Sequence, residues 1–195
     1  MKKLFISCFA LSALIVACNN TQTTTTSNDS LDNASRAVSD TALATGNSMN
    51  ADSNNTDFVN DAAAGGLFEV QLGNIAKTHA SGQAVKDYAA TIVRDHTKAN
   101  AELKAIAAKN NFTIPTTLPD KLQMHIDHLS GENGAEFDKD YISMMVDDHQ
   151  DDIKSFEKCA KSDKENADVK AFAAKTLPAL YKHLDAAKKI KESQK

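Results

Sequence analysis

Tyr88-Ala89-Ala90-Thr91-Ile92-Val93-Arg94-Asp95-His96 returns 53 positions further on as Tyr141-Ile142-Ser143-Met144-Met145-Val146-Asp147-Asp148-His149. In the first copy Tyr88, Ile92 and His96 recur at intervals of four and lead on to Leu103; in the second, Tyr141, Met145 and His149 lead on to Ile153 and Phe156. Spacings of three, four and seven put such residues on one stripe of a 3.6-residue helix, whereas a strand alternates every second residue. Each histidine therefore shares a stripe that is otherwise apolar, the side of a helix that packs inward.

The same period extends over four blocks. Residues 57–80 carry Phe58, Ala62, Leu67, Phe68, Leu72 and Ile75, and residues 83–110 carry the first copy of the repeat. The second copy lies in 135–161, and 167–192 carries Val169, Phe172, Leu177, Leu180, Leu184 and Ile190. No segment sustains strand alternation. Ser81-Gly82 and residues 162–168 are links short enough to force antiparallel neighbours. The middle link, 110–134, is long, contains Pro115, Pro119, Gly131 and Gly134, and has room for a short helix over 120–129. Four long helices with one long crossover predict an all-α, ferritin-like four-helix bundle. A second echo, Val85-Lys86-x-Tyr88-Ala89-Ala90 against Val169-Lys170-x-Phe172-Ala173-Ala174, points to two related helical hairpins. Pro178 removes a backbone donor inside the last block and predicts a kink there.

Lys2 and Lys3 precede an uncharged apolar run too short to span a bilayer, the pattern of an export signal. The run ends Ile15-Val16-Ala17-Cys18, which resembles a bacterial lipobox, so residues 1–17 are read as a lipoprotein signal peptide and Cys18 as the lipidated residue. Two or three acyl chains, at about 0.8 kcal/mol per buried methylene, give stable membrane anchoring without a spanning helix. Residues 18–56 hold no aromatic residue and read as a polar, disordered linker to a domain over 57–195. The expected location is the cell envelope, the outer membrane facing the periplasm. Cys8 leaves with the signal and Cys18 takes lipid, so Cys159 has no partner for an internal disulfide. The formal charge is −4, and −6 without the two signal lysines, which argues against nucleic acid as a partner. Nothing in the chain specifies a protein partner.

Glu69, His96, His149 and His183 each fall near the middle of a different long helix, where residues meet at one level whichever way the helices run. Asp148 stands beside His149, and Asp95, Tyr88 and Tyr141 are read as supporting or structural residues around this set. Inward carboxylates and imidazoles from several helices are how bundles hold iron, manganese or zinc. The alternative is a purely structural cluster in which Asp95 bonds His149 and Asp148 bonds His96. Against a di-iron arrangement, no Glu-x-x-His spacing occurs in the chain. No catalytic residue is assigned. His125 and His128 have the spacing of a surface chelate but also of ordinary exposed helix, Met144-Met145 reads as core filling, and Gly65, Gly66 and Gly73 suggest close helix approach.

Several blocks taken in order carry a family likeness: Phe58-Val-x-x-Ala62-Ala-x-Gly65-Gly66-Leu67-x-Glu69, Val93-x-Asp95-His96-x-Lys98-Ala99-Asn100, Met145-Val146-x-Asp148-His149 and Thr176-Leu177-Pro178-x-Leu180-x-x-His183. They resemble bacterial exported proteins of the domain-of-unknown-function 4142 family. The resemblance implies a ferritin-like bundle, lends no reaction, and singles out Glu69, His96, Asp148, His149 and His183. Three classes of function stay open: a metal-binding bundle, a tethered envelope-stress or interaction module, and an enzyme for a small substrate.

Overall fold

The apolar stripes become five α-helices: α1 (Met49–His79), α2 (Gln83–Lys109), α3 (Asp120–Ser130), α4 (Gly134–Lys161) and α5 (Ala167–Ser193). The computed structural model describes residues 49–194, with side chains from Thr56 onward. The signal segment, Cys18 and most of the expected linker lie outside the described residues. Helix α1 begins at Met49, eight residues inside the stretch read as linker. Among the described residues there is no strand, only one isolated bridge between Ala80 and Gly134.

Two tight hairpins, α1–α2 and α4–α5, pack side by side, with α2 against α5 and α1 against α4. The contacts at the ends fix the directions. Asp138, in the second turn of α4, accepts bonds from Ser81 and Gly82 at the start of α2, so these two helices start at the same end of the bundle. At the other end the last turn of α2 meets the first turn of α5, where Asn110 bonds Asp168 at 3.1 Å. The order is up-down-down-up, and the α2–α4 connection must return along the whole bundle, about 40 Å for a helix of this length. Helix α3 lies on that return path and covers α1 and α4. This is the ferritin-like arrangement.

The core is continuous across all four long helices: Phe68 and Leu72 from α1, Ile92 and Leu103 from α2, Tyr141 and Met145 from α4, Phe172 and Leu180 from α5. Phe58 and Phe156 meet edge to face at 5.0 Å and tie α1 to α4, a contact worth about 0.5–1.5 kcal/mol beyond its buried area. Close approach of α1 and α2 rests on two glycines. A Cβ on Gly73 would stand 2.7 Å from Val93 Cγ2, and one on Gly66 would stand 2.0 Å from Asn100 Oδ1. Gly65 has no such neighbour, its nearest atom being 4.0 Å away. Helix α5 runs on through Pro178, which sits on the exposed face, where water can meet the carbonyl left without a donor.

Candidate metal centre

Because α2 and α4 run in the same direction on opposite corners of the bundle, residues at equivalent levels of their stripes face each other across the axis. His96 and His149 do so with ring centroids 5.6 Å apart. His183 from α5 completes a triangle, 5.4 Å from His96 and 5.3 Å from His149. All three imidazoles are buried, and one ring nitrogen of each lies within 4.8 Å of one from each of the others. Glu69 enters from α1, fully buried. Its Oε2 stands 2.6 Å from His96 Nδ1 and its Oε1 3.4 Å from His149 Nδ1. Neither oxygen is aligned for a hydrogen bond.

Two of the imidazoles are oriented from behind. His149 Nδ1–H donates to the Met145 carbonyl at 3.0 Å, and His183 Nε2–H donates to Asp95 at 3.0 Å. Each bond fixes a tautomer and leaves the other nitrogen with a free lone pair, the pattern by which backbone carbonyls and carboxylates position metal-binding histidines. Asp95 is itself held by Arg94, whose hydrogen bond lowers the Asp95 carboxyl to about 2. The reciprocal pairs that a purely structural cluster predicts are not formed: Asp95 bonds His183 rather than His149, and no hydrogen bond joins Asp148 to His96. The reason is geometric, since Asp95 precedes His96 by one residue and is turned about 100° from it, toward α5.

His96 Nε2, His149 Nε2 and His183 Nδ1 are all closed to solvent without a hydrogen-bond partner. So are both oxygens of Glu69, Oδ2 of Asp148 and the hydroxyls of Tyr88 and Tyr141. Buried polar atoms in folded proteins are almost always paired, with water or an ion if not with protein. Eight buried polar atoms without an aligned hydrogen bond, on the imidazoles and the carboxyls and tyrosines packed with them, fit a bound cation with its waters. The imidazoles suit that role because burial, the largest cause, lowers the proton affinity of all three; His149 is brought down to about 3, helped by the charges of His96 and His183. They are neutral at physiological pH.

A carboxylate cluster adjoins the imidazoles. Glu69, Asp148 and Asp152 each offer an oxygen within 4.8 Å of the other two. Burial raises Glu69 and Asp152 well above the usual carboxylate range, and neighbouring carboxylates add to the rise. Asp148 goes up to about 6, mainly through burial. Three carboxyls resisting ionisation in one place are what a cation would relieve. Asp152 was not among the residues that sequence reasoning singled out. Its signal was there in Asp148-x-x-x-Asp152 and His149-x-x-Asp152, spacings that place all three on one side of α4. Tyr88 and Tyr141 meet edge to face at 6.2 Å, and burial, the first cause, makes both hydroxyls harder to ionise.

Residues 39–190 match the profile of the family described as domain of unknown function DUF4142. The chain belongs to that family. No curated protein matches it in sequence. In fold, the DUF4142 chain is similar to a protein described as secreted, DUF305, from Streptomyces coelicolor: 11% identity, a TM-score of 0.61, 73% of this chain and 95% of that one covered. At that identity the likeness concerns the fold alone. The remaining histidines of the DUF4142 domain stand apart from the centre. His79 Nδ1–H donates to the Ile75 carbonyl at 3.2 Å beside Thr78, and its ring packs on Phe137, 5.7 Å away, while His125 and His128 lie on α3 at the surface of α1 and α4. Met145 is fully buried, as core filling requires.

Proposed function

We propose that this DUF4142 domain binds a divalent transition-metal ion at the centre of its bundle, with His96, His149 and His183 as nitrogen ligands and Glu69, Asp148 and Asp152 as the adjoining carboxylates. The observation that carries the reading is the meeting of three buried imidazoles from three helices, one ring nitrogen of each within 4.8 Å of the others and each ring keeping one nitrogen without a partner. Imidazole together with carboxylate suits zinc, iron or manganese. When bound, such an ion supplies positive charge that the carboxylates lack in the protein alone. Asp95 and the Met145 carbonyl orient the imidazoles, and the surrounding apolar side chains keep bulk water out. The chain is further proposed to be an exported lipoprotein, anchored through Cys18 in the outer membrane facing the periplasm. The signal-like N-terminus supports this, and so does the structural similarity to a protein described as secreted. No helix among the described residues is long and apolar enough to cross a membrane.

The test is elemental analysis of the full-length chain purified without chelator, beside a His96→Ala/His149→Ala variant. The reading expects a near-stoichiometric metal in the first and none in the second. Absence of metal from both, after incubation with zinc, iron(II) and manganese, would leave the cluster as a packing element.

A further inference from the structure

A buried ion site needs a route from solvent, and two surface grooves reach this one. The first lies between α3 and α4, about 530 Å³, and its lining includes Asp140, Asp147, Asp148 and Asp151 against one cation, Lys121. The second, between α2 and α5, touches Tyr88 and His183 and sets Arg94, Lys175, Lys182 and Lys189 against Asp87 and Asp95. The first concentrates cations and the second repels them. Asp148 belongs both to the α3–α4 groove and to the inner carboxylate set: its Oδ2 is closed to solvent and unpartnered, and Glu69 and Asp152 each bring an oxygen within 4.8 Å. Beyond it lies the fully buried Glu69, whose oxygens face His96 and His149 without an aligned hydrogen bond. His128 and Asp140 line the same groove, and with Glu132 beside it they bring one ligand atom each within 4.8 Å of the others; Oε1 of Glu132 stands 3.3 Å from His128 Nε2, and its Oε2 is closed to solvent without a partner.

We infer that the α3–α4 groove is the loading route for the central ion, with His128, Glu132 and Asp140 as an exposed first station for a divalent cation and Asp148 as the point of transfer inward. The inference rests on the metal reading above and adds the path and its outer site. Asp140 and Asp147 are the carboxylates to test, since Asp148 belongs to the buried set and Asp151 is already bridged by Lys154 at 2.7 Å.

Chelator-stripped full-length chain is mixed rapidly with Co²⁺, whose visible absorption reports imidazole ligation, and the rate and end point are compared between variants. Asp140→Asn/Asp147→Asn is expected to slow loading by about three- to tenfold at low salt. The end point at the imidazoles should be unchanged, and the slowing should largely vanish at about 1 M salt, where charges are screened within about 3 Å. Lys175→Gln/Lys182→Gln should leave the rate as it is. An unaltered rate in the aspartate variant with a full end point overturns the route alone. Acceleration in the lysine variant as well would move the route to the α2–α5 groove. If the unmodified chain ligates no Co²⁺ at all, the metal reading and the route fall together.

Discussion

Asp148 and His149 are neighbours in sequence with opposite proton preferences in the fold, and the difference is measurable. Burial raises Asp148 from an ordinary carboxylate value to about 6, so the folded state holds its proton more tightly than the unfolded chain. Its contribution is most favourable below the unfolded value near 4 and is lost as pH rises through about 6. His149 is lowered to about 3, so its contribution is present above the unfolded value near 6.5 and is lost as pH falls toward 3. The two oppose each other over the same range, which hides both in the unmodified protein. Asp148→Asn separates them. In excess chelator its midpoint of thermal unfolding, relative to the unmodified chain, should rise by several degrees between pH 4 and pH 7; a constant offset would mean that Asp148 is solvated. Cys159 gives a second test. Burial, with Glu165 nearby, pushes its thiol up to about 12, so native alkylation at pH 8 should be slower than that of a free thiol by roughly three orders of magnitude and should recover in denaturant.

Between helices, two kinds of residue decide whether the hairpins close and dock. The turn Ser81-Gly82 has no capping side chain of its own; Asp138 of α4 supplies it, taking the Ser81 and Gly82 amides at 3.0 and 2.8 Å and the Ser81 hydroxyl at 2.6 Å. Asp138→Ala should cost about 1.5–3 kcal/mol by denaturant unfolding, because three partly exposed donors lose a charged acceptor, and Asp138→Asn should cost less. The glycines make the complementary prediction. Gly73→Ala gains up to about 1 kcal/mol of helix propensity but drives a methyl into Val93, and overpacking of about 1–3 kcal/mol wins. Gly65→Ala meets only ordinary contact and should stabilise by about 0.5–1 kcal/mol. Equal effects at the two positions would contradict the helix spacing described. These elements also show what the sequence discloses. The helices were legible because apolar side chains mark the buried stripe of each; the first two turns of α1, polar apart from Met49 and Ala51, carried no such mark. Glu69 and the three histidines stood out as polar residues in apolar stripes. Asp138 and Asp152 did not, since a carboxylate on a helix reads as solvated until a partner from another helix is known, and nothing local tells Asp95 to choose His183.

At the scale of the molecule, the centre is where the two hairpins, already joined by a shared apolar core, bring their polar residues together. Glu69 and His96 come from the first, His149 and His183 from the second, and each hairpin folds around its own tight turn. An ion bound there contacts folded chain only, so it stabilises the native state by mass action, about 2.7 kcal/mol at a free concentration one hundred times the dissociation constant. For a domain of this size that is roughly an 8–12 °C rise in unfolding midpoint. The rise should follow the logarithm of free metal, separating specific binding from a general salt effect. His183→Ala should abolish most of it, although the residue lies far along the chain from both Asp-His pairs. Asp138→Ala should lower the midpoint at every metal concentration while keeping the increment, because its damage lies at the end of the bundle and not at the centre. An unmodified chain whose midpoint ignores metal, while His183→Ala merely lowers it, would show that the hairpins are held by apolar packing alone and that the eight buried polar atoms are satisfied by water.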